Sequence, residues 1–228
     1  MAKKLKLTPP NEQMSSDDLM SAFHELGKVM GIRIPNFAKQ TAAITPVGRK
    51  GLKVTYQFKV KLRGITKPPV WRRVLVPADF TFSGLHAVIQ EAFGWWNEHL
   101  YCFGNTPYRR QLTIAEPNED DWEEPDYNAR EFTIGEFFGE GTGAQKLCYV
   151  YDFGDDWIHD ITLEQVIDRE SSHATCPAGK GACPEEDCGG VWGYEEMKEN
   201  GEFDPHDFHL DDVREGVESL PRTGYEPW

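Results

Sequence analysis

The stretch from Lys53 to Arg63, KVTYQFKVKLR, alternates without a break, and it constrains this chain more than any other segment. Val54, Tyr56, Phe58, Val60 and Leu62 fall on one face; Lys53, Lys59, Lys61 and Arg63 fall on the other, with Thr55 and Gln57. A period of two is the pleat of a β-strand, and a face of aromatic and branched side chains needs a covering layer. The next segments supply one. GITKPP turns the chain, VWRRVLVP reads as a second strand, and TFSGLHAVIQEAFGW reads as a helix with Leu85, Val88, Ile89 and Phe93 at core spacing. Strand, strand, helix opens an α+β fold rather than a sandwich or a bundle.

The later segments continue that pattern. HLYCFGN and YRRQLTIA read as short strands, EPNEDDWEEPDYNARE as an acidic loop, and TIGEFF as a helical turn. KLCYVYDFGDDWIHDITLEQV is two apolar-aromatic runs about a Gly-Asp-Asp turn, the strongest hairpin signal in the chain. A two- or three-residue turn sets His159 opposite Asp152 or Tyr151. GYEEMKEN and DFHLDDVREGVESL read as closing helices. The expected fold is α+β: a mixed, mainly antiparallel sheet with helices packed on it.

Residues 1–50 form an N-terminal arm and helical extension to a domain spanning 51–228. SSDDLMSAFHELGKVMG carries Asp17 and Asp18 in its first turn, where acids suit the helix dipole. Its stripe of Leu19, Phe23, Leu26 and Met30, flanked by Met20 and Val29, exceeds what an isolated solvated helix carries, so it packs on the core or on a second copy in a homodimer.

Charge divides the chain. Residues 1–75 hold 15 Lys/Arg against 4 Asp/Glu, a local +11; residues 76–228 hold 9 against 34, a local −25. Such a split is either an ordinary solvated surface or two functional poles. A basic pole of Lys53, Lys59, Lys61, Arg63, Arg72 and Arg73 suits phosphate or an acidic partner, and an acidic pole repels nucleic acid. A uniform nucleic-acid-binding domain has no such polarity. No apolar run reaches the ~20 residues that span a bilayer, and the start has no secretory h-region, so the cytoplasm is the expected compartment.

HATCPAGKGACPEEDCGG, residues 173–190, places three of the five cysteines beside one histidine. His173, Cys176, Cys183 and Cys188 match the donor complement of a structural Cys3His zinc site, with His159, His206 or His209 as substitutes for His173. The spacing is not a double CxxC, and buried free thiols are the competing reading; a reducing compartment disfavours a disulfide. Three thiolates make a poor Lewis acid, so zinc here implies structure rather than turnover.

The DFG triplet has no glycine-rich phosphate loop before it and no HRD loop, which excludes a kinase. His99, Asp152, Asp155 and His159 are the one set from which a metal-dependent hydrolase of phosphoesters can be drawn, provided the two histidines are neighbours.

GWWNEHLYCF, YVYDFGDDWIHDI and CPEEDCGGVWGYEEM, preceded by YQFKVKLRGITKPPVWRRVLVPADFTFSGLHAVIQEAFGW, resemble the plasmid pRiA4b Orf-three-like family. The resemblance covers roughly residues 54–215 and implies a compact α+β domain. Members of that family are often described as insertion-sequence passenger proteins and occur near mobile-element and defence genes. With no nucleophile, phosphate loop or cofactor fingerprint, the expected function is a non-enzymatic interaction module that assists a bacterial nucleoprotein system. The alternatives are the hydrolase above and direct nucleic-acid binding through the basic third.

Overall fold

The alternating segment forms β1 (Thr55–Leu62), which pairs antiparallel with β2 (Trp71–Pro77) on one side and β7 (Trp157–Ile167) on the other. The structure, a computed structural model, describes residues 51–108, 111–118, 124–139 and 142–225. The expected N-terminal helix and its stripe of Leu19, Phe23, Leu26 and Met30 lie outside those residues.

The remaining strands are β3 (Tyr101–Gly104), β4 (Thr113–Ala115), β5 (Tyr127–Asn128), β6 (Lys146–Tyr151) and β8 (Thr175–Lys180). They complete an eight-stranded sheet in the order β5-β4-β3-β6-β7-β1-β2-β8, antiparallel throughout except between β4 and β5. One face carries the core: Tyr56, Phe58, Val60 and Leu62 of β1, Val74 and Val76 of β2, Tyr149 and Tyr151 of β6, and Trp157 and Ile161 of β7 are all buried. On the opposite face a small apolar cluster of Cys102, Cys148 and Val150 stands apart from that core.

Helix α1 (Phe82–Phe93) covers the inner face and is buried nearly all round. Thr81 caps it by accepting from the Gly84 amide, and Gly94 ends it at φ 81°. Such a left-handed residue is nearly free of strain only as glycine. α2 (Ile134–Phe138) starts on a Thr133/Glu136 capping box. After β8 come α3 (Gly190–Asn200) and α4 (Leu210–Ser219), and α4 packs on β8 and α1. The fold class is thus the one the alternation implies, α+β with a mainly antiparallel sheet.

Two local expectations change. The Cys-rich segment is not all loop: TCPAGK is edge strand β8, paired with β2. Pro177 within it masked the strand, but an edge position has a side with no ladder bond to donate, so proline is tolerated there. The β6–β7 turn is longer than two or three residues. Tyr151 pairs with Trp157, leaving Asp152 to Asp156 as the loop, and His159 lies opposite Tyr149.

Arg72 also departs from its expected place on the basic outer face. It is 2% exposed. The alternation of β2 turns residues 72, 74 and 76 inward, and the guanidinium is sandwiched between the Phe93 and Phe208 rings. It donates to the carbonyls of Ala92, Trp71, Lys180 and Gly181. Four carbonyls without a carboxylate hold the charge, and burial pulls the pKa of Arg72 below the usual arginine value. Arg72→Met leaves these carbonyls short of donors. Chemical denaturation should show a loss of about 3 kcal/mol or more, since bonds to charged groups contribute about 1.5–3 kcal/mol each. Arg73→Met, which breaks a partly exposed pair, should cost about 1 kcal/mol or less.

Candidate functional site

Beyond Gly94 the chain runs through Trp95, Trp96 and Asn97 before it enters β3. Trp95 turns inward against Tyr151 and Trp157. Trp96 turns outward and is 73% exposed. Asn97 takes a left-handed conformation, φ 60°, and a closed ring of hydrogen bonds holds it there. Its amide donates to Gln90 Oε1 at 3.0 Å, and Gln90 Nε2 donates to the Tyr149 hydroxyl at 3.0 Å. The Tyr149 hydroxyl donates to His86 Nδ1 at 2.8 Å, and His86 Nε2 donates to Asn97 Oδ1 at 2.6 Å. Because Asn97 Oδ1 can only accept, the ring fixes His86 as the neutral Nε2–H tautomer. Burial agrees, pushing its pKa down to about 3.

Two further segments close on this loop. In the β6–β7 turn, Asp152 Oδ1 accepts from the amides of Gly154 and Asp155. From the loop before α3, Pro184 O accepts from Trp95 Nε1 at 3.0 Å, and Glu186 Oε1 accepts from the Trp96 amide and the Tyr151 hydroxyl. Asp155 Oδ2 accepts from the Gly189 amide at 3.0 Å. Gly190 sits so close to the turn that a Cβ would fall 2.6 Å from the Asp155 carbonyl oxygen, which requires glycine at that contact.

At the junction His99 Nε2 is surrounded by carboxylate oxygens: Asp187 Oδ1 at 3.2 Å, Asp152 Oδ2 at 3.7 Å and Glu186 Oε2 at 3.9 Å. Asp152, Asp156 and Asp187 share with Asn97 a positive φ, and these four are all such non-glycine residues among those described. Backbone held in a sparsely populated region costs about 1–3 kcal/mol per residue and collects at functional sites. Exposed apolar side chains stand on the same segments: Trp96 and Leu100 before β3, Phe153 in the turn, and Trp192 in the first turn of α3.

Of the hydrolase set, the structure brings His99 and Asp152 together and leaves two out. His159 lies in the core among Phe93, Trp95 and Tyr149, with Nδ1 donating to Trp157 O at 3.0 Å. Asp155 serves as the latch to Gly189. Asp187 and Glu186, which take part instead, read in the sequence as helix-capping or solvated acids; only the folding of PEEDCGG back onto GWWNEH reveals them.

Cys176, Cys183 and Cys188 form no disulfide. Cys176 is buried on β8 with its Sγ 3.6 Å from Ala178 O, and Cys188 Sγ is 4.0 Å from Gly190 O. Burial raises the pKa of all three, Cys188 to about 11, so they are neutral near pH 7 as arranged. His173 pairs instead with Ser172 Oγ. Among the described residues, the set of His, Cys, Asp and Glu donors within 4.8 Å of one another is His99, Asp152 and Asp187, not His173 with the thiols.

On the basic outer face, Lys53 and Lys61 are exposed, Arg63 pairs with Asp160, and Arg73 grips both oxygens of Glu164. Lys59 lies over the Trp71 ring. Acids from β7 thus offset much of the cationic stripe that the sequence of β1 displays.

A sheet covered by one buried helix, with three loops latched at one end around a histidine and carboxylates, defines an α+β domain with a built loop site. The chain belongs to the Plasmid pRiA4b ORF-3-like protein family, whose model matches residues 54–227. It is similar to the uncharacterized protein y4hQ of Sinorhizobium fredii (strain NBRC 101917 / NGR234), 36% identical over 156 residues that cover 68% of this chain and 77% of that protein. It also resembles the crystal structure of MM3350, a protein of unknown function from Methanosarcina mazei Go1. There the TM-score is 0.62 and the identity 33%, over 72% of this chain and 99% of that one.

Burial holds His86 and His159 neutral, each with a folded-state pKa of about 3. Both rise to about 6.5 on unfolding. The unfolded chain therefore binds more protons between those values. The stability contributed is fully present above about pH 6.5 and is lost as pH falls towards 3, at up to about 1.4 kcal/mol per pH unit for each histidine. Denaturation measured from pH 7 to 4 should show that fall, and His159→Asn should flatten its slope by about one histidine's share whatever its effect on stability at pH 7.

Proposed function

We propose that this chain is a non-enzymatic protein-interaction module and that the latched loops are its recognition surface, taking a Lys- and Arg-rich segment of a protein partner. The observation that carries this reading is the combination of exposed indoles with acidic residues on the segments latched to them. Trp96, in the α1–β3 loop, and Trp192, in the first turn of α3, are 73% and 89% exposed, while Asp155 and Asp156 lie in the β6–β7 turn and Glu185 and Asp187 in the loop before α3. An indole face attracts a guanidinium or ammonium by about 0.5–2 kcal/mol, and exposed aromatic and acidic groups together favour cationic peptides over nucleic acid. The charge of the chain beyond residue 75, −25, has the same sense.

Nucleic-acid-handling proteins are rich in basic segments, so this surface accords with the accessory role in a nucleoprotein system, of mobile-element or defence type, that the family resemblance suggests. Direct nucleic-acid binding has less support, because Arg72 is buried and Arg63 and Arg73 are paired with acids.

Titration of the indole fluorescence with Arg-rich, neutral and acidic peptides of equal length tests the reading. The basic peptide should bind and the others should not, with affinity falling as salt rises. Trp96→Ser combined with Trp192→Ser should weaken binding at least tenfold without changing the melting temperature. Preference for the neutral peptide, or unchanged binding by the double variant, would remove it.

A further inference from the structure

We infer that the junction of the three loops is a divalent metal site, built from His99 Nε2, Asp152 Oδ2 and Asp187 Oδ1, with Glu186 Oε2 beside it. The donor atoms of the triad lie within 4.8 Å of one another. Zinc–nitrogen and zinc–oxygen bonds of about 2.1 Å put neighbouring donors about 3.0–3.4 Å apart. The His99–Asp187 separation of 3.2 Å fits that sphere, and the His99–Asp152 separation of 3.7 Å closes with a few tenths of an ångström of movement.

Glu186 supplies an independent indication. Its side chain is only 9% exposed, and its Oε2 is buried without a hydrogen-bond partner, 3.9 Å from His99 Nε2. Leaving a buried carboxylate oxygen unpaired costs more than about 1–3 kcal/mol, and His99 Nε2 is likewise buried and unbonded. The other oxygens explain the aim. Asp152 Oδ1 is pinned by two turn amides, and Glu186 Oε1 by the Trp96 amide and the Tyr151 hydroxyl. Asp152 and Glu186 thus each have one oxygen fixed by the protein and the other directed at the junction, the arrangement by which outer partners orient metal ligands.

One imidazole nitrogen with carboxylate oxygens suits a first-row divalent ion, zinc or manganese, better than magnesium, and it is not the thiolate set of the Cys-rich loop. Asp187 is 69% exposed and leaves the site open on its own side for entry and for water. An ion there offsets three carboxylates and staples the α1–β3 loop, the β6–β7 turn and the loop before α3. The site shares Asp187 with the proposed peptide-binding surface, but whether it fills is read with no peptide present, so the two readings fail separately.

The experiment is calorimetric titration of the chelator-treated full chain with Zn2+, Mn2+ and Mg2+, together with the optical spectrum of the Co2+-loaded chain. One Zn2+ or Mn2+ should bind per chain, with Mg2+ weaker. His99→Gln and Asp152→Asn should each weaken binding at least tenfold, and Glu186→Gln, which keeps the Oε1 hydrogen bonds, by several-fold. Cys183→Ser should bind as the parent does, and Co2+ should show no thiolate charge-transfer band. Asp187→Asn serves if a more buried variant fails to fold, and should lose affinity too. No uptake by the parent chain, parental affinity in both His99→Gln and Asp187→Asn, or a thiolate band abolished by Cys183→Ser would overturn the assignment, the last by moving the ion to the cysteines.

Discussion

The hydrogen-bond ring of His86, Gln90, Asn97 and Tyr149 fixes the position of everything that follows α1. Two members lie on the buried helix, one on β6 and one in the loop that leaves the helix, so the ring ties three elements with four bonds. All four run in one sense around the circuit, and His86 stays neutral because a charged imidazole would leave the Tyr149 hydroxyl facing a donor. A satisfied buried network of this kind rigidifies, and an incomplete one would cost more than an apolar core. Asn97 accepts a positive φ because both its amide and its side chain find partners there. Once it is fixed, Trp95 points inward to Pro184 O, and the Trp96 amide points to Glu186.

Through those contacts the Cys-rich segment acquires its place. It has little core of its own, yet β8 anchors one end beside β2, and Trp95, Trp96, Tyr151 and Asp155 hold the other. The carboxylates of Asp152, Glu186 and Asp187 meet around His99 as a consequence of these latches. Like charges are brought close on strained backbone, and the stability of the sheet and of buried α1 offsets that cost. The same latches carry the exposed indoles of Trp96 and Trp192.

Much of the fold was legible because it rests on periodicity. The alternation of Val54 to Leu62 gave β1 its inner face, and Leu85, Val88, Ile89 and Phe93 gave the helix. The same logic, carried two residues back along β2 from Val74, turns Arg72 inward; its charge made the outer face look the natural place. β8 was hidden by Pro177 and glycines, whose presence reads as loop unless the strand is known to be an edge. The site was legible only in part. His99 and Asp152 stood out as chemistry-bearing residues, but Asp187 lies some ninety residues along the chain from His99, and no local pattern encodes that meeting. His159 looked equivalent to His99 until the five-residue turn set it opposite Tyr149, inside the core.

The central claim is that a buried hydrogen-bond ring pre-organises the loop end, and backbone amide exchange in Tyr149→Phe tests it most directly. That change removes one hydroxyl, which both donates to His86 and accepts from Gln90, and leaves the ring's apolar packing in place. The account predicts lost protection at the amides of Trp96, Asn97, Glu98 and Gly189, with β1 and β7 exchanging as slowly as in the parent once the change in global stability is allowed for. Unchanged protection in the loops, or a uniform loss across loops and sheet alike, would contradict it.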